Sequence, residues 1–151
     1  MKHIAKIILL ICCFMASVGA SAQEGLNIKQ LFDGRYQKSP KATEIVVTGK
    51  KAKSINLNVY RSITITDDAQ AAALIERLVA KDGASAIDKE VELRGGRIYY
   101  GYYVLRPQDG ENRYIFFLNQ ALSHRSPVSR VTLIYMEGRA SSEYIKNLIR
   151  K

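Results

Sequence analysis

The stretch Gly95-Gly96-Arg97-Ile98-Tyr99-Tyr100-Gly101-Tyr102-Tyr103-Val104-Leu105-Arg106 (residues 95–106) decides how this chain folds. Two glycines accept the positive φ of a two-residue hairpin turn, and the apolar and aromatic run beyond them suits a strand. Side chains along a strand point alternately to opposite faces, so Tyr99, Tyr100, Tyr102 and Tyr103 put rings on both sides of the ribbon.

Before the turn, Val91 and Leu93 alternate with Glu90, Glu92 and Arg94. A Gly95-Gly96 turn sets Leu93 opposite Ile98 and Val91 opposite Tyr100 on one face. The other face then carries Arg94 by Arg97, Glu92 by Tyr99 and Asp88 by Tyr103. After Arg106, Pro107-Gln108-Asp109-Gly110-Glu111 predicts a second hairpin with its tip at Asp109-Gly110. That tip places Val104 against Ile115 and Tyr102 against Phe117 on the core face, with Leu105 by Tyr114, Tyr103 by Phe116 and Gly101 by Leu118 opposite. A shift of one residue would exchange the two faces.

Working back from the ribbon, Leu57, Val59, Ile63 and Ile65 alternate with Asn58, Tyr60, Ser62, Thr64 and Thr66, a half-buried strand. Asp67-Asp68-Ala69-Gln70 reads as a helix start, and Ala71, Leu74, Ile75, Leu78 and Val79 follow at helical spacing to Lys81-Asp82-Gly83. Upstream, a brief strand over residues 43–48 sets Ile45 and Val47 against Glu44, Val46 and Thr48. Asn27 caps a short first helix bearing Ile28, Leu31 and Phe32, which Gly34 ends. Downstream, residues 131–136 form a further strand, and Ser141 caps a last helix with Tyr144, Ile145, Leu148 and Ile149 on one side. The order α-β-β-α-β-β-β-β-α predicts an α+β fold: one domain over 23–151, a curved antiparallel sheet of four to six strands, helices mainly on one face.

Residues 1–22 read as a secretory signal: Lys2 and Lys6, an apolar run from Ile7 to Met15, then Ala20-Ser21-Ala22 as the cleavage site. The apolar run is shorter than the roughly 20 residues that a spanning helix needs, so no membrane span is expected after cleavage. Both cysteines, Cys12 and Cys13, lie inside this leader. The expected location is periplasmic or extracellular, with a mature chain that starts at Gln23, contains no thiol and relies on its core. The whole chain of 151 residues has 23 Lys plus Arg against 14 Asp plus Glu, net +9, which loss of the leader's two lysines reduces to +7. Export removes nucleic acid from the expected partners despite that charge.

Few residues offer chemistry. His124, between Ser123 and Ser126, is the one histidine outside the leader and reads as a loop residue. Glu90 and Glu92 project from one strand face and are the candidate acid/base pair, although Asp88 and Arg94 continue the row as a solvent face does. Asp67-Asp68 and Asp109, Glu111 and Asn112 serve capping and turns rather than calcium, and Gly95-Gly96 lacks the pattern of a phosphate loop. Catalytic residues, metal and cofactor are therefore expected to be absent. Lys50, Lys51 and Lys53 belong to a strongly basic segment, where Arg35, Lys38, Lys41 and these three stand against Glu44 alone. They form either a solvated hairpin tip or a grip on anions.

The ring-bearing second face, with Tyr99, Tyr103, Leu105, Tyr114, Phe116 and Leu118, is either sealed by the first helix or the 35–53 segment, or open as a contact site. The leading expectation is a non-catalytic envelope protein that binds through Tyr99, Tyr103, Tyr114 and Phe116, with Lys50, Lys51 and Lys53 steering an envelope protein or an anionic glycan or lipid surface. A small hydrolase acting on cell-wall or glycan material, using Glu90 and Glu92, is the alternative. An inhibitor or regulator of another secreted protein is a third.

In layout, the export signal, the short leading helix, the basic segment and the four closing strands with a terminal helix resemble small secreted domains of unknown function from Bacteroidetes. The similarity covers most of the chain after the leader in layout, and no short motif such as Tyr99-Tyr100-Gly101-Tyr102-Tyr103 defines an activity. It implies a periplasmic or surface location and brings no catalytic residue with it.

Overall fold

Strand alternation decides the architecture seen in the computed structural model, which describes residues 23–125 and 127–151. The expected leader, residues 1–22, and Ser126 lie outside the described residues. A 3-10 helix, Asn27–Phe32, precedes β1 (Ala42–Thr48), α1 (Gly49–Lys53), β2 (Leu57–Thr66) and α2 (Ala69–Gly83). Then come β3 (Asp88–Arg94), β4 (Arg97–Gln108), β5 (Glu111–Asn119), a 3-10 turn Gln120–Leu122, β6 (Arg130–Gly138) and α3 (Ser142–Ile149). The strands form one open antiparallel sheet in the order β1-β2-β6-β5-β4-β3, so the fold is α+β, as expected.

From β2, second in the sheet, to β3 at the far edge, the chain must cross three strands, and α2 makes that crossing on what we call the front face. Asp68 caps α2, its carboxylate accepting from the Ala71 N–H at 3.0 Å. Under α2 and the leading 3-10 helix lie Val59, Ile63, Ile65, Ile98, Tyr103, Leu105, Ile115, Phe117, Leu133 and Tyr135. The back face carries Leu57, Tyr102, Tyr114, Phe116 and Met136 beneath α3 and Ala52 of α1. Helices thus lie on both faces, with the longest on the front.

Both hairpin turns are as the sequence reads: Gly95, Gly96, Asp109 and Gly110 all have positive φ. The registers beyond them differ from expectation. Arg94 still faces Arg97 and Leu93 faces Ile98, but Glu92 faces Tyr100 and Glu90 faces Tyr102, leaving Tyr99 as an extra residue in β4. A second irregularity at Arg106-Pro107 lies between the Gln108–Glu111 pair and the Leu105–Arg113 pair. Past it, Tyr103 faces Ile115, Tyr102 faces Phe116 and Val104 faces Tyr114. Each bulge inserts one residue, which exchanges the faces of everything beyond it. Proline suits such a site because it has no N–H to offer the ladder.

Smaller corrections have similar causes. Asn27 does not cap the first helix. The buried Asp82 carboxylate, at the end of α2, accepts from the backbone N–H groups of Asn27 (2.8 Å) and Ile28 (2.9 Å) and so caps it across the chain. The basic segment closes through the one-turn helix α1 instead of a tight hairpin tip, because Ala52 is buried there. Leu57 joins the back cluster rather than the row of Val59, since the β2–β6 register shifts between them. Gly138 allows that shift: a Cβ there would lie 2.5 Å from the Leu57 Cα.

Tyr103 is held between two glycines. A Cβ on Gly101 would come 2.6 Å from its ring, and one on Gly83, at the end of α2, would come closer still. The absent side chains create the slot in which α2 closes onto β4. Gly83→Ala should therefore lower unfolding stability by about 1–3 kcal/mol through overpacking. Denaturant titration checks this, and Gly83→Ala combined with Tyr103→Leu should recover part of the loss.

Candidate functional site

The four aromatic residues expected to share an open contact face are not together. Tyr103 is buried on the front, while Tyr114 and Phe116 are buried on the back, with exposures of 3%, 2% and 8%. Tyr99 is half-buried, with the Arg94 guanidinium carbon 3.3 Å from its ring centroid. The register shifts separate the four, and the two helical layers seal three of them. The back cover is α3, not the first helix or the 35–53 segment as a whole. Buried tyrosines need partners for their hydroxyls, and the start of α3 supplies them. Tyr114 donates to the Ala140 carbonyl at 2.6 Å, and the Tyr102 hydroxyl lies 3.0 Å from the Ser142 hydroxyl. Burial pushes the Tyr102 phenol up to about 12. The two rings stack 6.1 Å apart, and Ile145 of α3 is buried among them.

Lys50, Lys51 and Lys53 are exposed on α1, as a steering role requires. Beside them runs β1, an edge strand paired only with β2, on which Ile45 and Val46 are 49% and 52% exposed. The sequence pattern set Ile45 and Val47 on one side of the strand. At an edge no helix reaches Ile45, whereas Val47 is half-buried against the back cluster.

A buried polar cluster was not anticipated. Arg61 occupies the same strand face as Val59 and Ile63, and its interruption of that apolar row is the signal the sequence offered. Its guanidinium donates to Glu44 at 3.3 Å, to the Phe32 carbonyl at 3.1 Å and to Gln23 Oε1 at 3.2 Å, and lies 4.7 Å from the Phe32 ring centroid. The Arg61 and Glu44 side chains are each 12% exposed. In register with Arg61 lies Tyr135, whose hydroxyl donates to Glu137 at 2.6 Å. Burial is the largest influence on the Glu137 carboxyl and raises it above its ordinary value of 4.5, while Arg113 opposes the rise. Arg113 also donates to the Glu24 carbonyl at 3.5 Å. Two arginines thus hold Gln23 and Glu24 against the front of the sheet.

The candidate acid/base pair is engaged elsewhere. Glu90 pairs with Lys146 of α3, and Glu92 pairs with Arg94 at 2.8 Å. Lys146 holds the Glu90 carboxyl below the ordinary range, opposite to what a general acid needs. His124 is exposed. Among the described residues there is no group of three or more His, Cys, Asp or Glu that could hold a metal ion, and no helix long and apolar enough to cross a membrane. A small cavity of about 100 Å³ lies between Asp68, Arg97, Asn119 and Arg130, and an open groove of about 440 Å³ runs between α2 and Gly96. Arg97 borders both and is paired with Glu76 at 2.7 Å.

Fold and site together define a small α+β domain with filled faces, an open strand edge and a basic rim. Residues 15–149 match the Family of unknown function (DUF6108), and the chain belongs to that family. No curated protein and no solved structure matches it.

Two measurements probe the polar cluster. Arg61→Met strands the Glu44 carboxylate and should cost about 3–5 kcal/mol, whereas Arg61→Met with Glu44→Leu should cost much less, since the pair's own desolvation penalty also disappears. For Glu137 the folded chain binds its proton more tightly than the unfolded chain. Stability contributed below the ordinary value of 4.5 is therefore lost as pH rises through the higher folded value. Glu137→Gln should flatten that part of the stability–pH profile, as read by thermal unfolding across the window.

Proposed function

We propose that this is an exported, non-catalytic interaction module of a Bacteroidetes-type envelope, periplasmic or extracellular, that engages an anionic partner through Lys50, Lys51 and Lys53. What carries the reading is the exposure of all three lysines on a single turn of helix, beside an edge strand that exposes Ile45 and Val46. The rings that would otherwise provide contact area are consumed by the core, so recognition falls to charge with a modest apolar margin. The net charge, +7 once the leader with its two lysines is removed from the +9 of the whole chain, adds long-range attraction toward anionic glycan, lipid or acidic protein. The hydrolase alternative draws no support from Glu90 and Glu92, which are ion-paired on an exposed strand.

The test uses a heparin column as the anionic probe. Replacing Lys50, Lys51 and Lys53 by Glu should shift elution to markedly lower salt. Replacing the exposed Arg77, Lys81 and Lys151 by Glu makes the same change in net charge and should shift it less. Equal shifts for the two triple variants would reduce the proposed site to bulk charge and sink the reading.

A further inference from the structure

Gln23 is a polar residue with no exposed surface at the start of the described chain. Its Oε1 accepts from Arg61 at 3.2 Å and its backbone carbonyl accepts from the Leu26 N–H at 3.1 Å. Its Nε2 is buried and has no hydrogen-bond partner among the described residues, as do the neighbouring Glu44 Oε2 and Arg61 Nε. A buried amide donor left unmatched has lost its hydrogen bonds to water with nothing in return, and destabilises the fold. Export with cleavage after Ala22 worsens the mismatch, because it creates an α-ammonium on a residue that Arg61 already contacts. A second cation would then be desolvated beside the guanidinium.

From this we infer that Gln23 is a modification site: the new α-amine of the exported chain closes on its own side chain, and the mature protein begins with pyroglutamate. The inference rests on the export part of the preceding reading. The chemistry is internally balanced. The α-nitrogen attacks Cδ of the carboxamide, a C–N bond forms to close a five-membered lactam, and the Cδ–Nε2 bond breaks. The nitrogen gives up a proton to the leaving group, which departs as one ammonia. No oxidant, reductant or co-substrate takes part.

The product fits the site better than either form of glutamine. The carbonyl that Arg61 contacts survives as the lactam carbonyl, the unmatched NH2 leaves, and the terminal positive charge beside Arg61 disappears. A single lactam N–H takes the place of the ammonium. Since folding buries Gln23, ring closure belongs to the exported chain before its first residues dock beneath Arg61 and Arg113. Once formed, the lactam also leaves no free amine for an aminopeptidase.

The experiment is to express the full chain, residues 1–151, in a secreting bacterial host, collect the exported protein and measure its intact mass and N-terminal sequence. The expected result is a chain from Gln23 that is lighter by one ammonia and blocked to stepwise N-terminal degradation. Pyroglutamyl aminopeptidase should open it after unfolding but not while it is folded. A Gln23→Ala chain, which cannot cyclise, should keep a free amine and unfold at a lower temperature. Finding residue 23 first with its amine free overturns the cyclisation while leaving export intact. A first residue other than 23 overturns the cleavage position on which the proposal stands.

Discussion

Four consecutive residues of β5, Tyr114, Ile115, Phe116 and Phe117, are all buried. Because neighbours on a strand point to opposite faces, that is possible only when both faces of the sheet are covered. Much of the remaining architecture answers this requirement. Helix α2 crosses the front between β2 and β3, and α3 folds back from the end of β6 onto Tyr102 and Tyr114. Tyrosine contributes to the fit as well as to the buried area. Its hydroxyls must be satisfied, and those of Tyr102 and Tyr114 reach the residues that begin α3, fixing where that helix starts.

The front layer is finished by polar groups. Asp82 ends α2 and caps the leading 3-10 helix, so the two pack as one unit. Arg61 then joins both ends of the leading segment, through Gln23 and Phe32, to the β1–β2 hairpin. A buried ion pair is a poor source of stability, because desolvation of both charges offsets most of their attraction. Its value here is positional: it accepts one arrangement of the N-terminal segment and penalises others. The exposed lysines of α1 stand apart from this machinery, and their charge faces solvent.

Much of the fold was legible in the sequence. The order of strands and helices follows from local periodicity and turn chemistry, and so do the β2 and α2 boundaries, the cap at Ser141 and both hairpin tips, whereas the cap of α2 is Asp68 and not Asp67, where the capping pattern begins. The site was legible only in part. The lysines could be placed because charge in a polar segment stays in solvent. The aromatic contact face could not, because it depended on register carried through the extra residue at Tyr99 and the irregularity at Pro107, and one inserted residue reverses every later assignment.

Arg61 marks the same divide. Its place in an apolar row was visible, yet nothing local revealed that Glu44, Phe32 and Gln23 would converge on it from three other segments. What the sequence determined by itself is whatever interactions between near neighbours decide: helices, strands, turns and the certainty that rings lie on both sides of the sheet. Which rings share a side, what covers them and which charges meet in the interior were decided by the tertiary structure, because those outcomes depend on contacts between residues far apart in the chain.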